Sequence, residues 1–220
     1  DHVWYGLLST LEYQGDHITL AAGAHVSDYA RDHALHVKPD LANAVYDNTG
    51  FKQEQSAFAK AALTRGAFTL HGDLQLRRAA FRYAPSEGNS FSGPRVDWLF
   101  LNPKAGITWR ARPSLELFAS LGQAGREPTR SDMFAGNDDL DDASAAEILP
   151  LDRVKPERLT DLELGARWRR GNLAASANAF AMAFRNEIAP IGALTVTGAQ
   201  LRANVPRSSR VGVEGELSWR

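Results

Sequence analysis

Apolar and polar residues alternate along most of the chain. Within residues 98–111, every second position is apolar and the positions between them are mostly polar: Leu99, Leu101, Pro103, Ala105, Ile107 and Trp109 oppose Asn102, Lys104, Gly106, Thr108 and Arg110. Residues 17–29, 160–169 and 211–220 show the same alternation. A period of two predicts β-strands with one apolar face, and helical spacing fits none of these stretches.

The alternation predicts nine strands, at residues 3–13, 17–29, 51–64, 67–83, 98–111, 115–124, 160–170, 173–185 and 207–220. Short turns rich in Gly, Pro, Asn or Asp fall at 14–16, 64–66, 112–114 and 171–172, and long connections fall at 30–50, 84–97, 125–159 and 186–206. This strict alternation of short and long connections is typical of antiparallel membrane barrels. A soluble sandwich has no reason to place every long loop at one end, and a solenoid would show a fixed repeat length.

Aromatic residues mark the strand ends beside the short turns. Trp109, Trp168 and Trp219 each end a strand there and are followed by Arg110, Arg169 and Arg220, while Tyr13 takes the matching place in the first strand. This arrangement predicts the interfacial girdle of a membrane barrel. On the opposite faces, the charged residues are predicted to point into the lumen: Glu163, Arg167, Glu214 and Glu216. In residues 173–185 both faces are passably apolar, so the pattern assigns neither to lipid.

Composition and charge narrow the function. The mean hydropathy of −0.33 and the lack of a long apolar run exclude a membrane helix, but a membrane strand needs only about 9–11 residues. The net charge of −1 argues against a nucleic-acid partner, and the absence of cysteine excludes disulfides and thiolate metal sites. No phosphate loop, nucleophile elbow or paired-histidine metalloprotease motif is present. We therefore expect neither an enzyme nor a cofactor.

Several segments in the second half of the chain resemble TonB-dependent outer-membrane receptors. Residues 101–109 (LNPKAGITW) followed by 115–120 (LELFAS) are similar to strands from the middle of the barrel in that family. Residues 125–134 (GREPTRSDMF) resemble the segment that opens a long extracellular loop, and residues 155–165 (KPERLTDLELG) resemble the returning strand. Residues 204–206 (NVP) and 210–214 (RVGVE) are similar to the next strand pair.

The resemblance implies an all-β, antiparallel transmembrane β-barrel of about 22 strands, of which residues 1–220 would supply about nine. It also implies an outer-membrane location in a Gram-negative bacterium, contact with outer-membrane lipid, and a plug domain outside this sequence through which the TonB complex acts. The ligand implied most often is an iron complex such as a ferric siderophore. Because no signal peptide is visible and both ends fall within predicted strands, we expect a piece of a longer receptor that cannot transport by itself.

Two other classes of protein remain as alternatives. The first is a passive or structural outer-membrane barrel, such as a small pore or adhesion barrel of eight to ten strands. The odd strand count and the long Arg-Glu-Pro loop speak against it. The second is a soluble β-sandwich that acts as a binding module, and the alternation of short and long connections speaks against that.

The densest charged group lies at the start of the longest connection: Arg126, Glu127, Arg130 and Asp132. The arginines could hold an anionic ligand through bidentate hydrogen bonds. Alternatively the group braces the loop, with Arg130 paired to Asp132 or Glu127. We favour bracing, because the resemblance extends to receptors with different ligands.

Two further groups are weaker candidates for metal binding. His33 and His36 would share a face, and so approach a metal or haem iron together, only if their segment were helical. The acidic residues within 137–142 could bind calcium, but they lack the Gly and the terminal Glu of a helix-loop-helix calcium site. We favour solvated loops for both groups and predict no metal site. Three other histidines are predicted on the polar faces of strands, where they would meet the lumen or the plug: His17, His25 and His71.

Overall fold

The computed structural model describes residues 1–195, 198 and 200–219. It contains one antiparallel sheet of nine strands, each paired with its neighbours in sequence. The strands are β1 (His2–Gln14), β2 (Ile18–Leu35), β3 (Tyr46–Arg65), β4 (Phe68–Ala84), β5 (Arg95–Arg112), β6 (Leu115–Arg126), β7 (Glu157–Arg170), β8 (Leu173–Leu194) and β9 (Gln200–Trp219). This confirms the predicted all-β antiparallel architecture and the nine strands. Among the described residues, β1 and β9 do not pair with each other, so the sheet is open.

All four short turns lie where the sequence predicts them. Gly66 and Gly171 adopt φ angles of +58° and +57° in the turns before β4 and β8. This left-handed region is open to glycine without steric cost, which explains why glycine stands in these tight turns. The four short turns therefore define one end of the sheet, which we call the short-turn end, and the long connections define the opposite, long-loop end.

The strands extend beyond the prediction at the long-loop end. β2 continues to Leu35 rather than residue 29, β3 starts at Tyr46, β8 continues to Leu194 and β9 starts at Gln200. In these extensions the two faces no longer differ in polarity, so the period of two disappears from the sequence. The backbone ladder continues, because hydrogen-bond pairing does not require that difference. Residues 196, 197 and 199 of the fourth long connection lie outside the described residues.

The sheet has two distinct faces. Side chains two residues apart, and side chains directly opposite each other on paired strands, share a face. The inner face carries Phe81, Tyr83, Trp98 and Phe100, which are buried. The outer face carries exposed apolar side chains along every strand, among them Leu74, Leu101, Leu164 and Val213.

The register assigns the faces of β8, which the sequence left open. Ala177 and Ala179 are paired with Ala166 and Leu164 on the outer face, whereas Asn178 is paired with Gly165 on the inner face. The alanines of β8 between residues 175 and 183 therefore face outward, and its larger side chains face inward: Phe180, Met182 and Phe184.

An aromatic row follows the outer face at the short-turn end. Tyr13, Trp109, Trp168 and Trp219 all lie on this face, as the girdle prediction requires. Phe68 joins them, and its ring stacks on Trp109 with centroids 5.8 Å apart and planes 11° apart. The predicted cation after Trp219 is Arg220, which lies outside the described residues.

Residues 127–156 form a folded loop rather than an open one. They contain two short helices, α1 (Arg130–Met133) and α2 (Asp142–Ile148), and a 3-10 helix (Leu151–Arg153). The loop lies on the inner face, where Met133, Phe134, Leu140 and Leu151 form a cluster with the four buried aromatic residues of β4 and β5. Within the described residues, no helix is long and apolar enough to span a membrane.

The acidic residues of this loop are only partly solvated, so the prediction of a solvated loop was wrong in part. Asp141 caps α2, since its side chain accepts a hydrogen bond from the Ser144 backbone N–H at 2.8 Å. Asp139 accepts hydrogen bonds from the side chains of Asn48, Tyr83 and Ser86 at 2.8–3.1 Å. The acidic residues therefore position the loop on the sheet.

Candidate functional site

A cavity of about 500 Å³ lies at the long-loop end of the inner face. Strands β2 to β5 form its wall and the start of the folded loop forms its other side. Its lining is rich in cations and aromatic rings, which include Arg31, Lys52, Arg130, Tyr29 and Trp98. We call this space the long-loop cavity.

Glu127 attaches the folded loop to the wall of this cavity. Its carboxylate accepts two parallel hydrogen bonds from the Arg77 guanidinium, at 2.7 and 2.8 Å, and lies 2.8 Å from the Lys52 ammonium. Burial acts to raise the pKa of this carboxyl, but the hydrogen bonds from Arg77 and Lys52 outweigh it and lower the pKa to about 2. Glu127 therefore stays ionised and anchored.

The same charges continue across the inner face. The Arg77 guanidinium also donates a hydrogen bond to the Glu54 carboxylate at 2.8 Å, and His25 Nδ1 lies 3.7 Å from the other oxygen of Glu54. The ring of Phe100 lies 5.7 Å from the Arg77 guanidinium carbon, measured to the ring centroid. Arg77 of β4 thus links the loop, through Glu127, to β3, through Glu54, and Glu54 in turn lies beside His25 of β2.

Arg126 and Asp132 are also engaged within the protein. Arg126 donates to both oxygens of Glu157 on the neighbouring strand, at 3.4 and 3.1 Å. Asp132 accepts hydrogen bonds from the backbone and hydroxyl of Thr129 at 2.8 and 2.7 Å, which forms a capping box at the start of α1. Both side chains therefore hold the local conformation of the loop.

Arg130 differs from the other members of the predicted group. It donates hydrogen bonds to the Asn48 side chain, at 2.8 Å, and to the Asp138 carbonyl, and its guanidinium lies over the rings of Tyr83 and Phe134. Its Nε and Nη1 groups are buried without a hydrogen-bond partner. Burial lowers the pKa of this guanidinium, so the cation is held in a partly desolvated position on the cavity wall.

The structure brings the four predicted residues to one place but gives them other partners than those predicted. Glu127 and Asp132 do not pair with Arg130. Sequence reasoning missed Arg31, Asn48, Lys52 and Arg77, which come from β2, β3 and β4. They are polar residues in the middle or toward the long-loop ends of strands, and only the cross-strand register shows that they lie beside the loop. The signal for α1 was available, since Thr129-x-x-Asp132 is a capping pattern.

The two histidines of the weaker group are separated. His33 lies in β2 and lines the cavity, close enough to Arg130 and Arg31 for their charges to act on its ring. His36 lies beyond the strand end and is exposed. The segment is not helical, so a spacing of three does not place both rings on one face. Within the part of the chain that the structure describes, no three His, Asp or Glu side chains form a group that could hold a metal ion.

An open antiparallel sheet with an apolar outer face, a charged inner face and all long loops at one end has the features of a segment of a transmembrane β-barrel wall. The family model described as "TonB dependent receptor-like, beta-barrel" matches residues 1–220. The chain therefore belongs to the family of TonB-dependent receptor β-barrels, whose members are receptors and transporters.

Solved structures show the same fold. The chain is similar to the copper transporter OprC, with a TM-score of 0.79 and 16% identity over 100% of this chain and 35% of that one. It is similar to the ferric citrate transporter FecA, with a TM-score of 0.71 and 13% identity over 98% of this chain and 32% of that one. For the FrpB iron transporter from Neisseria meningitidis the TM-score is 0.64 and the identity 19%, over 100% of this chain and 33% of that one.

The chain thus spans about a third of the length of these transporters. No curated protein matches it significantly in sequence. The neighbours carry different ligands, and none of the comparisons supports a passive pore or a soluble sandwich.

Proposed function

We propose that the chain forms part of the barrel wall of an outer-membrane receptor that takes up an anionic metal complex, most simply a ferric siderophore or another iron complex, with energy supplied through TonB. The observation that carries this proposal is the long-loop cavity. It opens on the inner face, at the end where all the long loops lie, and cations and aromatic rings dominate its lining.

Within the described part of the chain, two cations of the cavity have no carboxylate partner. Among the described residues, neither Arg31 nor Arg130 forms a salt bridge with a carboxylate, whereas Arg77, Lys52 and Arg126 do. A planar guanidinium beside aromatic rings suits an anionic and partly aromatic ligand. Within the predicted group, we therefore assign ligand contact to Arg130 and loop bracing to the other three residues: Arg126, Glu127 and Asp132.

The outer face supports the membrane location. The outward side chains of β8 from Leu173 to Ala183 are all apolar, over a distance of about 33 Å along the strand. At the roughly 35–45° tilt of membrane barrels this gives an apolar band of about 25 Å. The aromatic row ends the band at the short-turn end. These features fit a wall that contacts outer-membrane lipid.

The location can be tested on the full-length receptor. We expect it in the outer-membrane fraction and expect faster migration on a gel before boiling than after, as closed barrels show. A soluble protein without a heat shift would contradict the membrane location.

The ligand class can be tested by uptake of radiolabelled iron from ferric citrate and from a ferric catecholate, in an iron-limited strain that expresses the full-length receptor. We expect uptake that requires TonB and that falls at least about tenfold in an Arg31→Gln/Arg130→Gln variant, because each lost charged hydrogen bond costs about 1.5–3 kcal/mol. Arg153→Gln, an exposed position in the same loop, serves as the control. Uptake of neither complex, or uptake without TonB, would contradict the proposal.

A further inference from the structure

Three arginines stand side by side on the outer face at the long-loop end. Arg158 of β7 is directly opposite Arg185 of β8, and Arg185 is directly opposite Arg207 of β9. The residues beside each of them on the same strand, Glu157, Phe184 and Ser208, are more buried, so the three arginines alternate outward and are exposed. We call this group the arginine row.

The arginine row lies just beyond the apolar band. Arg185 follows Ala183, the last apolar outward residue of β8, by two positions, which is about 7 Å along the strand. Arg158 and Arg207 each lie two positions beyond a small polar residue, Thr160 and Ser209, which follow the band on their strands. Long cationic side chains at such a border extend toward the polar headgroups of a bilayer.

The row has no counter-ion within the protein. Directly opposed side chains on paired strands are about 5 Å apart, and like charges at that distance destabilise a sheet. Among the described residues, no hydrogen bond or salt bridge joins any of the three to another side chain, although ten salt bridges occur elsewhere. Anions from outside the protein would therefore stabilise these three adjacent unpaired guanidiniums.

In another part of the same border, the outward arginines have partners within the protein. On β4 and β5, Arg78 and Arg95 also lie at the long-loop end of the outer face, and both bind Asp97, Arg95 at 3.0 Å. Arg82, which is opposite Arg95, lies over the ring of Phe51 at 3.7 Å. The contrast shows that the border can hold its own acidic partner, and that β7 to β9 lack one.

We propose that the arginine row binds the phosphate groups of membrane lipids that surround the barrel. Guanidinium groups form bidentate, charge-assisted hydrogen bonds with phosphate, and three of them in a row present a set of donors wide enough for more than one phosphate oxygen. The occupant is a lipid rather than a soluble anion, because the row borders the apolar band. The inference rests on the proposed membrane location and adds a lipid site to it.

The test uses the purified full-length receptor in detergent, with phosphatidic acid as the probe and diacylglycerol of the same chains as its phosphate-free counterpart. Native mass spectrometry measures how much of each lipid stays bound. We expect the receptor to bind phosphatidic acid at least about tenfold more tightly than diacylglycerol, and an Arg158→Gln/Arg185→Gln/Arg207→Gln variant to lose that preference. The corresponding triple lysine variant should keep part of it, because charge remains while the bidentate geometry is lost.

A matched pair of single variants shows whether lipid binding depends on the position of the arginine or only on the total charge of the protein. Arg185→Gln removes an outward arginine, and Arg167→Gln removes an inward one from the neighbouring strand, so we expect only the first to reduce binding of phosphatidic acid. Equal binding of the two lipids, or a triple Gln variant that keeps the preference, would overturn the proposal. Discrete adducts of inorganic phosphate alone that disappear in the triple variant would assign the row to a soluble anion and would also overturn it.

The outer-membrane fraction and the heat shift are measured on the same variants. A receptor that inserts and shows the heat shift but has no preference for phosphatidic acid refutes the lipid site alone. A receptor that does not reach the outer membrane refutes the membrane location, and the lipid site with it.

Discussion

The two ends of the sheet are stabilised in different ways. Every buried side chain among the described residues lies toward the long-loop end, either in the long-loop halves of β3, β4, β5 and β8 or in the folded loop. Toward the short-turn end, none of the described residues is buried, and large apolar side chains such as Leu74, Leu164 and Leu217 remain exposed on the outer face. The long-loop end therefore has its own core, whereas the short-turn end depends on strand pairing and on what surrounds the barrel.

The largest expected effect comes from removing the anchor of the folded loop. Glu127→Ala leaves Arg77 and Lys52 beside each other without their shared carboxylate, and breaking a buried ion pair costs about 3–5 kcal/mol. We expect proteolytic cleavage within residues 127–156 to accelerate strongly in the full-length receptor, while the heat shift of the barrel persists. Glu147→Ala removes an exposed carboxylate from the same loop and should have little effect. Similar protection of the loop in both variants would show that Glu127 is not its anchor.

The same anchor predicts a dependence on pH. The pKa of Glu127 is about 2 in the folded loop and 4.5 ordinarily, so its contribution is complete above about pH 4.5 and is lost as the pH falls toward 2. A shift of this size corresponds to roughly 3 kcal/mol. Loop protection against an acid-tolerant protease should fall between these pH values in the wild type. Glu127→Gln should remove that part of the pH dependence, and an identical pH profile in both proteins would contradict the assignment.

At the short-turn end, we expect stability to depend on the contact between the outer face and membrane lipid. Leu164→Arg places a charge on the apolar outer face, which costs about 2–4 kcal/mol near the middle of a membrane. Glu163→Arg places the same charge one residue away on the inner face, where its cross-strand neighbours are Ser120 and Phe180. We expect the first variant to lose outer-membrane assembly and heat shift far more than the second. Equal tolerance at the two positions would mean that lipid does not contact this face.

The smallest effect concerns the inner face at the same end, where phenylalanine rings lie over glycines of the adjacent strand. A Cβ on Gly165 would lie 2.3 Å from Cζ of Phe118, and Phe58 and Phe180 lie over Gly23 and Gly212 in the same way. Gly165→Ala should cost about 1–3 kcal/mol, because the ring must move. Gly72→Ala, where a Cβ meets no atom within 4 Å, is the control. Unfolding of the purified barrel by urea would measure the difference, and equal midpoints would contradict the packing argument.

The sequence predicted the short-turn end of the fold better than the long-loop end. Toward the short turns, the two sides of the sheet have different surroundings, so the alternation in residues such as Leu162, Glu163 and Leu164 shows the strand and its faces. Beyond the apolar band, both sides are either solvated or covered by the loop, and the alternation ends before β2 and β3 do. The pattern therefore places the strands correctly but predicts four of them too short at the long-loop end: β2, β3, β8 and β9.

The candidate site was harder to predict for a related reason. Arg126, Glu127, Arg130 and Asp132 are close in sequence, so their clustering was visible. Their actual partners, including Arg77 and Lys52, come from strands whose register depends on pairing across the whole sheet. No local pattern contains that information.

Under the proposed outer-membrane location, the inward position of the folded loop determines which part of the receptor is accessible from outside the cell. Residues 36–45, in the connection between β2 and β3, are all exposed, whereas much of loop 127–156 is turned toward the inner face. We expect antibodies and bacteriophages to recognise the 36–45 connection more readily than the folded loop.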